Sequence, residues 1–367
     1  MDSSVMESTV VGQERALGAL RHAAARPGHA YLLVGPRGSG IEDAAREFAA
    51  MLIGVHDDER GRRLVMRSVH PDVVEFEPSG ASYRVKEDVR ERVLPEAARA
   101  PIEGERKVLV LFEAERLRGN QNESANAMLK TLEEPPDRTV VILVTGAPDD
   151  LLPTIRSRCQ RIDFDPIADA DIRATLEREG SNAADAATLA ALAGGQLARA
   201  RALAGRIGDL RAAFAAAPAR VDGYGATALT IAQELDAQID DAAAAVELQH
   251  KAELDAFDAE MERLGYSERE AQRMRRRIDE RHKRETRRTR IDLLLEGVTA
   301  IESVYRDALA APAPALNADI PALHVSPRAA AAALAMCHQT REAFLINEKG
   351  VVRLVALLME LPTAGTA

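Results

Sequence analysis

The sequence predicts a parallel α/β domain followed by a long all-helical region. Three observations carry this reading. Tyr31–Val34, Val108–Phe112 and Val140–Thr145 are apolar runs of strand length, each followed by polar or helical sequence. Their apolar residues are consecutive rather than alternating, the pattern of strands buried on both faces. After Pro166 the strand signal fades, and from Ile207 onward the pattern is helical.

Tyr31–Val34 runs into a glycine-rich turn, and Asp43–Leu52 continues with helical spacing. Asp169–Glu179 and Ala183–Leu203 read as short helices separated by Gly180-Ser181-Asn182. A Pro-Ala stretch at Pro312–Pro321 interrupts the helical half, and Arg328–Leu361 forms a final amphipathic segment. The expected organisation is an α/β domain over 1–165, a small helical domain over 166–205 and an all-helical domain over 206–367. The last carries a long charged helical insertion at about 250–292. There, between Arg273 and Arg290, nearly every position is polar and Arg or Lys dominates, just after an acidic patch of Glu253, Asp255, Asp258, Glu260 and Glu262. A helix polar all round projects into solvent or bridges between domains.

The chain has 367 residues and a formal net charge of −10. That balance argues against nucleic-acid binding as a property of the whole surface. The two cysteines, Cys159 and Cys337, do not suffice for a disulfide framework or a four-thiolate zinc site, which fits a reducing cytoplasm. Met1–Thr9 lacks a basic region followed by an apolar core. No apolar stretch reaches the ~18–20 residues needed to cross a membrane. The expectation is a cytoplasmic protein with no membrane partner.

Gly35-Pro36-Arg37-Gly38-Ser39-Gly40-Ile41-Glu42 lies between a strand and a helix, where a phosphate-binding Walker A loop, G-x-x-x-x-G-K-[ST], belongs. Both glycines of the pattern are present, but Ile41 replaces the lysine and Glu42 the Ser/Thr. Such a loop needs the ammonium to meet the β and γ phosphates and the hydroxyl to hold Mg²⁺. An apolar side chain and a carboxylate do neither, and Glu42 would repel a polyphosphate. Val108–Glu113 reads as a Walker B strand with Phe112 at the metal-binding Asp position and Glu113 where the water-activating carboxylate sits. Both motifs fail in the same direction, so neither bound ATP nor a metal ion is expected.

Ser124–Cys159 contains Ala125-Asn126-Ala127-Met128-Leu129-Lys130-Thr131-Leu132-Glu133-Glu134-Pro135-Pro136 and then Ser157-Arg158-Cys159. These blocks closely resemble the clamp-loader branch of AAA+ proteins, as does the turn His70-Pro71-Asp72. The resemblance is strongest over about residues 10–165. Ile346-Asn347 and Leu354–Leu361 are similar to the family's last collar helix. The broken Walker motifs point to the delta-prime branch, since the gamma/tau motor members keep the lysine and the Asp.

The resemblance implies an AAA+ α/β domain with a RecA-like parallel sheet, a helical lid and an all-α collar. It implies a non-hydrolysing subunit in a hetero-pentamer with gamma/tau and delta subunits, helping to load the sliding clamp on primed DNA. Arg158 is then the arginine finger acting in trans, because a guanidinium stays charged and grips phosphate oxygens bidentately. Arg199 matches the family's sensor-2 position. Two departures stand out. The four-cysteine zinc module of many relatives is missing from Gly54–Ser68, where His56, Asp57 and Asp58, with His70 beyond, read as a solvated loop without zinc-site spacing. Gly119–Glu123 is slightly longer than the family pattern. An active ATPase and a DNA-binding adaptor using the Arg273–Arg290 arm are the competing readings.

Overall fold

The computed structural model describes residues 10–78, 82–118, 122–310, 316–317, 320–346 and 350–363. Asn347, most of Gly119–Glu123 and much of the Pro312–Pro321 stretch lie outside them. The chain forms two compact units: Met1–Ala200 with Gly265–Asp279, and Arg201–Leu264 with Glu280–Ala367.

The first unit is built on five parallel strands: β1 (Ala30–Val34), β2 (Val73–Phe76), β3 (Lys107–Leu111), β4 (Thr139–Thr145) and β5 (Gln160–Asp163), in the order β2-β3-β4-β1-β5. The three central strands β3, β4 and β1 are buried at every position, which is why their sequences are uninterrupted apolar runs. The pleat sends alternate residues to opposite faces. Leu33, Val110 and Ile142 meet α1 (Glu14–Ala25) and α2 (Ile41–Leu52) through Leu17, Leu20 and Phe48. Leu32, Leu109 and Leu143 meet the other layer through Val89 and through Met128 and Leu132 of α5 (Glu123–Glu133).

The sequence missed β2 and β5, the two edge strands. Their polar residues explain why: β5 buries only Ile162, and β2 carries Glu75 between its buried ends Val73 and Phe76. The segment read as a solvated loop also differs. It contains α3 (Glu59–Met66), capped by the Asp58 carboxylate accepting from the Arg60 and Gly61 N–H groups, with Leu64 and Val65 buried. Asp58 is thus an N-cap, which satisfies helix donors that lack an intrahelical partner.

Beyond β5, α7 (Asp169–Arg178), α8 (Ala183–Ala193) and α9 (Leu197–Leu203) surround a small core of Ile167, Ile172, Leu176 and Ala190. Asn182 caps α8 by accepting from the Asp185 N–H at 2.9 Å. The remaining short helices of the sheet region are α4 (Leu94–Ala97) and α6 (Pro153–Arg156).

The second unit is all-helical: α10 (Arg206–Ala216), α11 (Gly225–Arg263), the later part of α12 (Glu268–Ala310), α13 (Pro327–Ile346) and α14 (Gly350–Glu360). Its core gathers Phe214, Leu235, Ile239, Val298, Ile301, Tyr305 and Leu354. Gly297 is required there, because a Cβ would stand 2.5 Å from the Phe214 ring. The charged stretch of α11 and α12 is cross-paired rather than simply solvated: Arg290 pairs with Asp236 and Asp240, and Arg281 with Glu253. In the first unit, Arg60 Nε donates to Tyr266 Oη at 2.5 Å and its guanidinium lies 4.5 Å from that ring.

Candidate functional site

In open α/β sheets, ligands sit beyond the carboxyl ends of the strands where the strand order switches. Here β1 lies between β4 and β5, and three chain segments leave the carboxyl ends of β1, β3 and β4 side by side. They are the glycine loop Gly35–Glu42, the Phe112-Glu113 pair, and Thr145.

Gly35 N–H donates to the Thr145 carbonyl at 3.0 Å. A Cβ at Gly35 would lie 2.6 Å from Phe164 Cβ and 2.7 Å from its carbonyl oxygen, so only glycine fits. Gly38 and Gly40 have φ of +78° and +86°, the left-handed region that glycine enters without strain.

One backbone donor of the loop is engaged from within the chain. Glu42, in the first turn of α2, turns back so that the Gly38 N–H donates to its two carboxylate oxygens at 3.2 and 3.3 Å. Arg37 Nε stands 4.0 Å from the same carboxylate. The chain's own anion therefore holds a backbone donor of the kind that such loops offer to phosphate. The Gly38 carbonyl is engaged too, accepting from the Ala198 N–H at 3.3 Å. Arg199, the sensor-2 match, is half-buried on α9 beside Ala198.

Ile41 and Phe112, the apolar residues at two departures from the motif patterns, have joined the core. Ile41 is 1 % exposed and shares a cluster with Val10 and Phe164. Phe112 is 5 % exposed, with the Arg46 guanidinium 5.4 Å over its ring. Arg46 is itself fixed by a two-point pair with Glu75, at 2.9 and 3.0 Å. Glu113 has φ +51° and pairs with Arg116 at 2.8 Å and Arg37 at 3.5 Å. Its charge is balanced by two guanidiniums inside the site. Thr145 Oγ1 donates to Glu115 at 2.7 Å. Sequence reading passed over Thr145 and Glu115; the available signal was a hydroxyl closing an otherwise apolar strand.

Arg158 follows α6 and precedes β5. Its Nη1 donates to the Thr154 carbonyl at 2.9 Å and lies 3.4 Å from Ser157 Oγ, and its Nη2 pairs with Glu133 at 2.5 Å. Glu133 ends α5, so the two sequence blocks that carried the resemblance meet in one ion pair. The Arg158 side chain keeps 34 % of its surface exposed. Arg156 pairs instead with Asp149 at 2.8 Å. Burial pushes the Cys159 thiol up to about 12, so it stays protonated and packs rather than reacts.

The His70-Pro71-Asp72 turn is a fastening. Asp72, fully buried, accepts from the successive N–H groups of Ile102, Glu103 and Gly104 at 2.6, 2.7 and 2.7 Å. His70 Nδ1 accepts from the Asp72 N–H at 3.1 Å. Burial is the main cause that pushes His70 down to about 4, with Arg277 and Lys107 adding to it and Asp72 opposing. Arg277, from the basic run, donates to the His70 carbonyl at 2.8 Å. His56 pairs with Asp57 at 3.2 Å. Among the described residues, the side chains close enough to share a metal ion are instead His250, His282 and Glu285.

Residues 12–168 match the family model described as "DNA polymerase III, delta subunit". The chain is similar to the DNA polymerase III subunit delta' of Pseudomonas aeruginosa, 37 % identical over 142 residues, or 37 % of this chain and 42 % of that protein. It is 33 % identical over 148 residues to the subunit delta' of Bacillus subtilis, or 39 % of this chain and 44 % of that protein. The gamma/tau subunit of Mycobacterium tuberculosis is 36 % identical over 180 residues, or 46 % of this chain and 30 % of that protein. The chain thus spans less than half the length of each of these curated relatives. Identity alone separates the two kinds of subunit poorly, whereas positions 41, 42 and 112 carry the departures described above. Over its α/β region, residues 12–168, the chain is thus similar to the DNA polymerase III delta' and gamma/tau subunits.

Proposed function

We propose that this chain works as the delta-prime subunit of a bacterial DNA polymerase III clamp loader, binding no ATP of its own and supplying Arg158 to the ATP site of a neighbouring subunit. The observation that carries the reading is a glycine loop occupied by its own Glu42, in the same domain as an arginine that remains accessible. A finger retained beside a closed nucleotide site has its use on another subunit's phosphate.

In this reading the chain assembles with gamma/tau and delta subunits into a hetero-pentamer in the cytoplasm and helps place the sliding clamp on primed DNA. Residues 166–205 serve as the lid and 206–367 as the collar through which it assembles. It is no enzyme alone and belongs to a DNA-directed DNA polymerase only as part of the holoenzyme. Glu133 holds Arg158 without trapping it, since a pair this exposed contributes only about 0–1 kcal/mol. When a γ-phosphate arrives, the planar fork exchanges one carboxylate for phosphate oxygens.

The test is a reconstituted complex carrying Arg158→Ala or Arg158→Lys. Removing a sole finger costs a factor of ~10³ or more at its site. Other sites dilute this, so clamp- and DNA-stimulated ATP turnover falls by less, while clamp loading drops clearly. Lysine rescues poorly, because a point charge does not replace the fork. Wild-type loading by the Arg158→Ala complex refutes the proposal.

A further inference from the structure

α11 and α12 face each other across an ion-paired seam, and within it lies a group of a different kind. The rings of His250 and His282 stack with centroids 4.0 Å apart and planes within 8° of parallel. Glu285, one turn beyond His282 on α12, reaches His250 Nε2 at 2.9 Å. One ring nitrogen of each histidine and one Glu285 oxygen lie within 4.8 Å of one another.

His282 is the more deeply buried of the two histidines. It is 6 % exposed, and its Nε2 stands 2.8 Å from the Glu253 carboxylate. A carboxylate only accepts, so Nε2 donates its N–H to Glu253, and in the neutral imidazole Nδ1 then carries the lone pair. Nδ1 is buried without a hydrogen-bond partner. An imidazole oriented by a carboxylate through one nitrogen and bare at the other is how metal-ligating histidines are held. A buried acceptor left unpaired is also costly in itself, which gives a ligand something to relieve.

We propose that His250, His282 and Glu285 bind one divalent transition-metal ion of the zinc class, with Glu253 orienting His282. Two imidazoles and one carboxylate suit zinc rather than magnesium or calcium, which favour all-oxygen sets. Three protein ligands leave a fourth position for water. In the metal-free arrangement the two rings are parallel, so their lone pairs do not converge. Binding splays the rings about their terminal torsions, which have broad minima, and turns His250 and Glu285 from each other to the ion. No metal is expected from the sequence, because its two cysteines and its short His/Asp spacings match no closed site. These ligands come from two helices, far apart in the chain. The site is independent of the role proposed for Arg158.

The experiment uses the full chain, freed of metal by a chelator and titrated with Co²⁺ and then Zn²⁺. Ligand-field bands should appear in the visible, without the near-ultraviolet sulfur charge-transfer that Cys159 or Cys337 would add, and Zn²⁺ should bleach them. His250→Gln and Glu285→Gln, with unchanged circular dichroism in the metal-free state, should each weaken binding at least ~10-fold, and Glu253→Gln by ~10–100-fold. Asp240→Asn, on the same seam, should leave the affinity unchanged. The proposal is overturned if no Co²⁺ spectrum develops. It is equally overturned if the spectrum survives in His250→Gln and Glu285→Gln, or if Asp240→Asn weakens binding as much as they do.

Discussion

Glu42→Ala tests whether the glycine loop is closed by its own anion. The substitution removes a carboxylate that accepts from Gly38 N–H at 3.2 and 3.3 Å and sits in the first turn of α2. A hydrogen bond to a charged group contributes ~1.5–3 kcal/mol and a first-turn acid ~0.3–1 kcal/mol. The Glu42 side chain is 26 % exposed, so solvent screening favours the low end of both. The expected loss is therefore ~1–2 kcal/mol. For a unit of about two hundred residues each kcal/mol shifts Tm by ~2–4 °C, so the first thermal transition of the full chain should drop by ~2–8 °C. Glu42→Gln, which keeps an acceptor oxygen without the charge, should fall between. The decisive arm adds sulfate. Sulfate stabilises every protein somewhat by exclusion, so the comparison is with wild type. An emptied loop gains a seat for the anion, and at ten times Kd that seat adds ~1.4 kcal/mol. If wild type gains as much from sulfate as Glu42→Ala, the carboxylate does not fill the seat and the reasoning fails.

Two further outcomes follow from the buried turn before β2. Asp72→Ala strands three aligned N–H donors and should destabilise the first unit by ~3 kcal/mol or more, measured by urea unfolding. His70 titrates near 6.5 when unfolded and is pushed down to about 4 when folded. The unfolded chain thus binds the extra proton between these values, so stability is fully present above pH 6.5 and declines by at most ~3 kcal/mol as pH falls to 4. His70→Asn should flatten that part of the stability-against-pH curve, and an unchanged slope would assign it to other groups.

The central strands were legible because both faces of β1, β3 and β4 are buried and nothing polar interrupts them. The edge strands were not, since Glu75, Gln160, Arg161 and Asp163 make half-buried strands read as loop. At the site, the departures at Ile41, Glu42 and Phe112 could be seen from motif spacing alone. What Glu42 does could not: charge predicts that it repels phosphate, whereas the fold sets its carboxylate against the Gly38 N–H. The basic run was legible as polar, but its partners Asp236, Asp240 and Glu253 stand on another helix and follow no local spacing. The same holds for Glu133 and Arg158, two motif residues whose contact only the tertiary structure reveals.

The loop's condition also predicts how hard it is to reverse. Ile41 is fully buried against Val10 and Phe164, and burying such a side chain contributes ~1.5–3 kcal/mol. Ile41→Lys forfeits that burial and brings an ammonium into an apolar pocket. The neighbouring carboxylate, Glu42, is already committed to Gly38 N–H and faces Arg37. The lysine stem could lead the charge out to solvent, at the expense of packing beside Phe164. The single substitution should therefore cost ~3 kcal/mol and confer no Mg·ATP binding, because the Gly38 donor stays occupied and Phe112 still fills the metal carboxylate's place. Ile41→Lys with Glu42→Thr and Phe112→Asp removes the internal anion and restores the ammonium, the hydroxyl and the carboxylate of the motifs. It is the smallest change expected to give calorimetrically measurable Mg·ATP binding. Tight Mg·ATP binding by Ile41→Lys alone would mean that the carboxylate lodged against Gly38 does not close the loop to nucleotide.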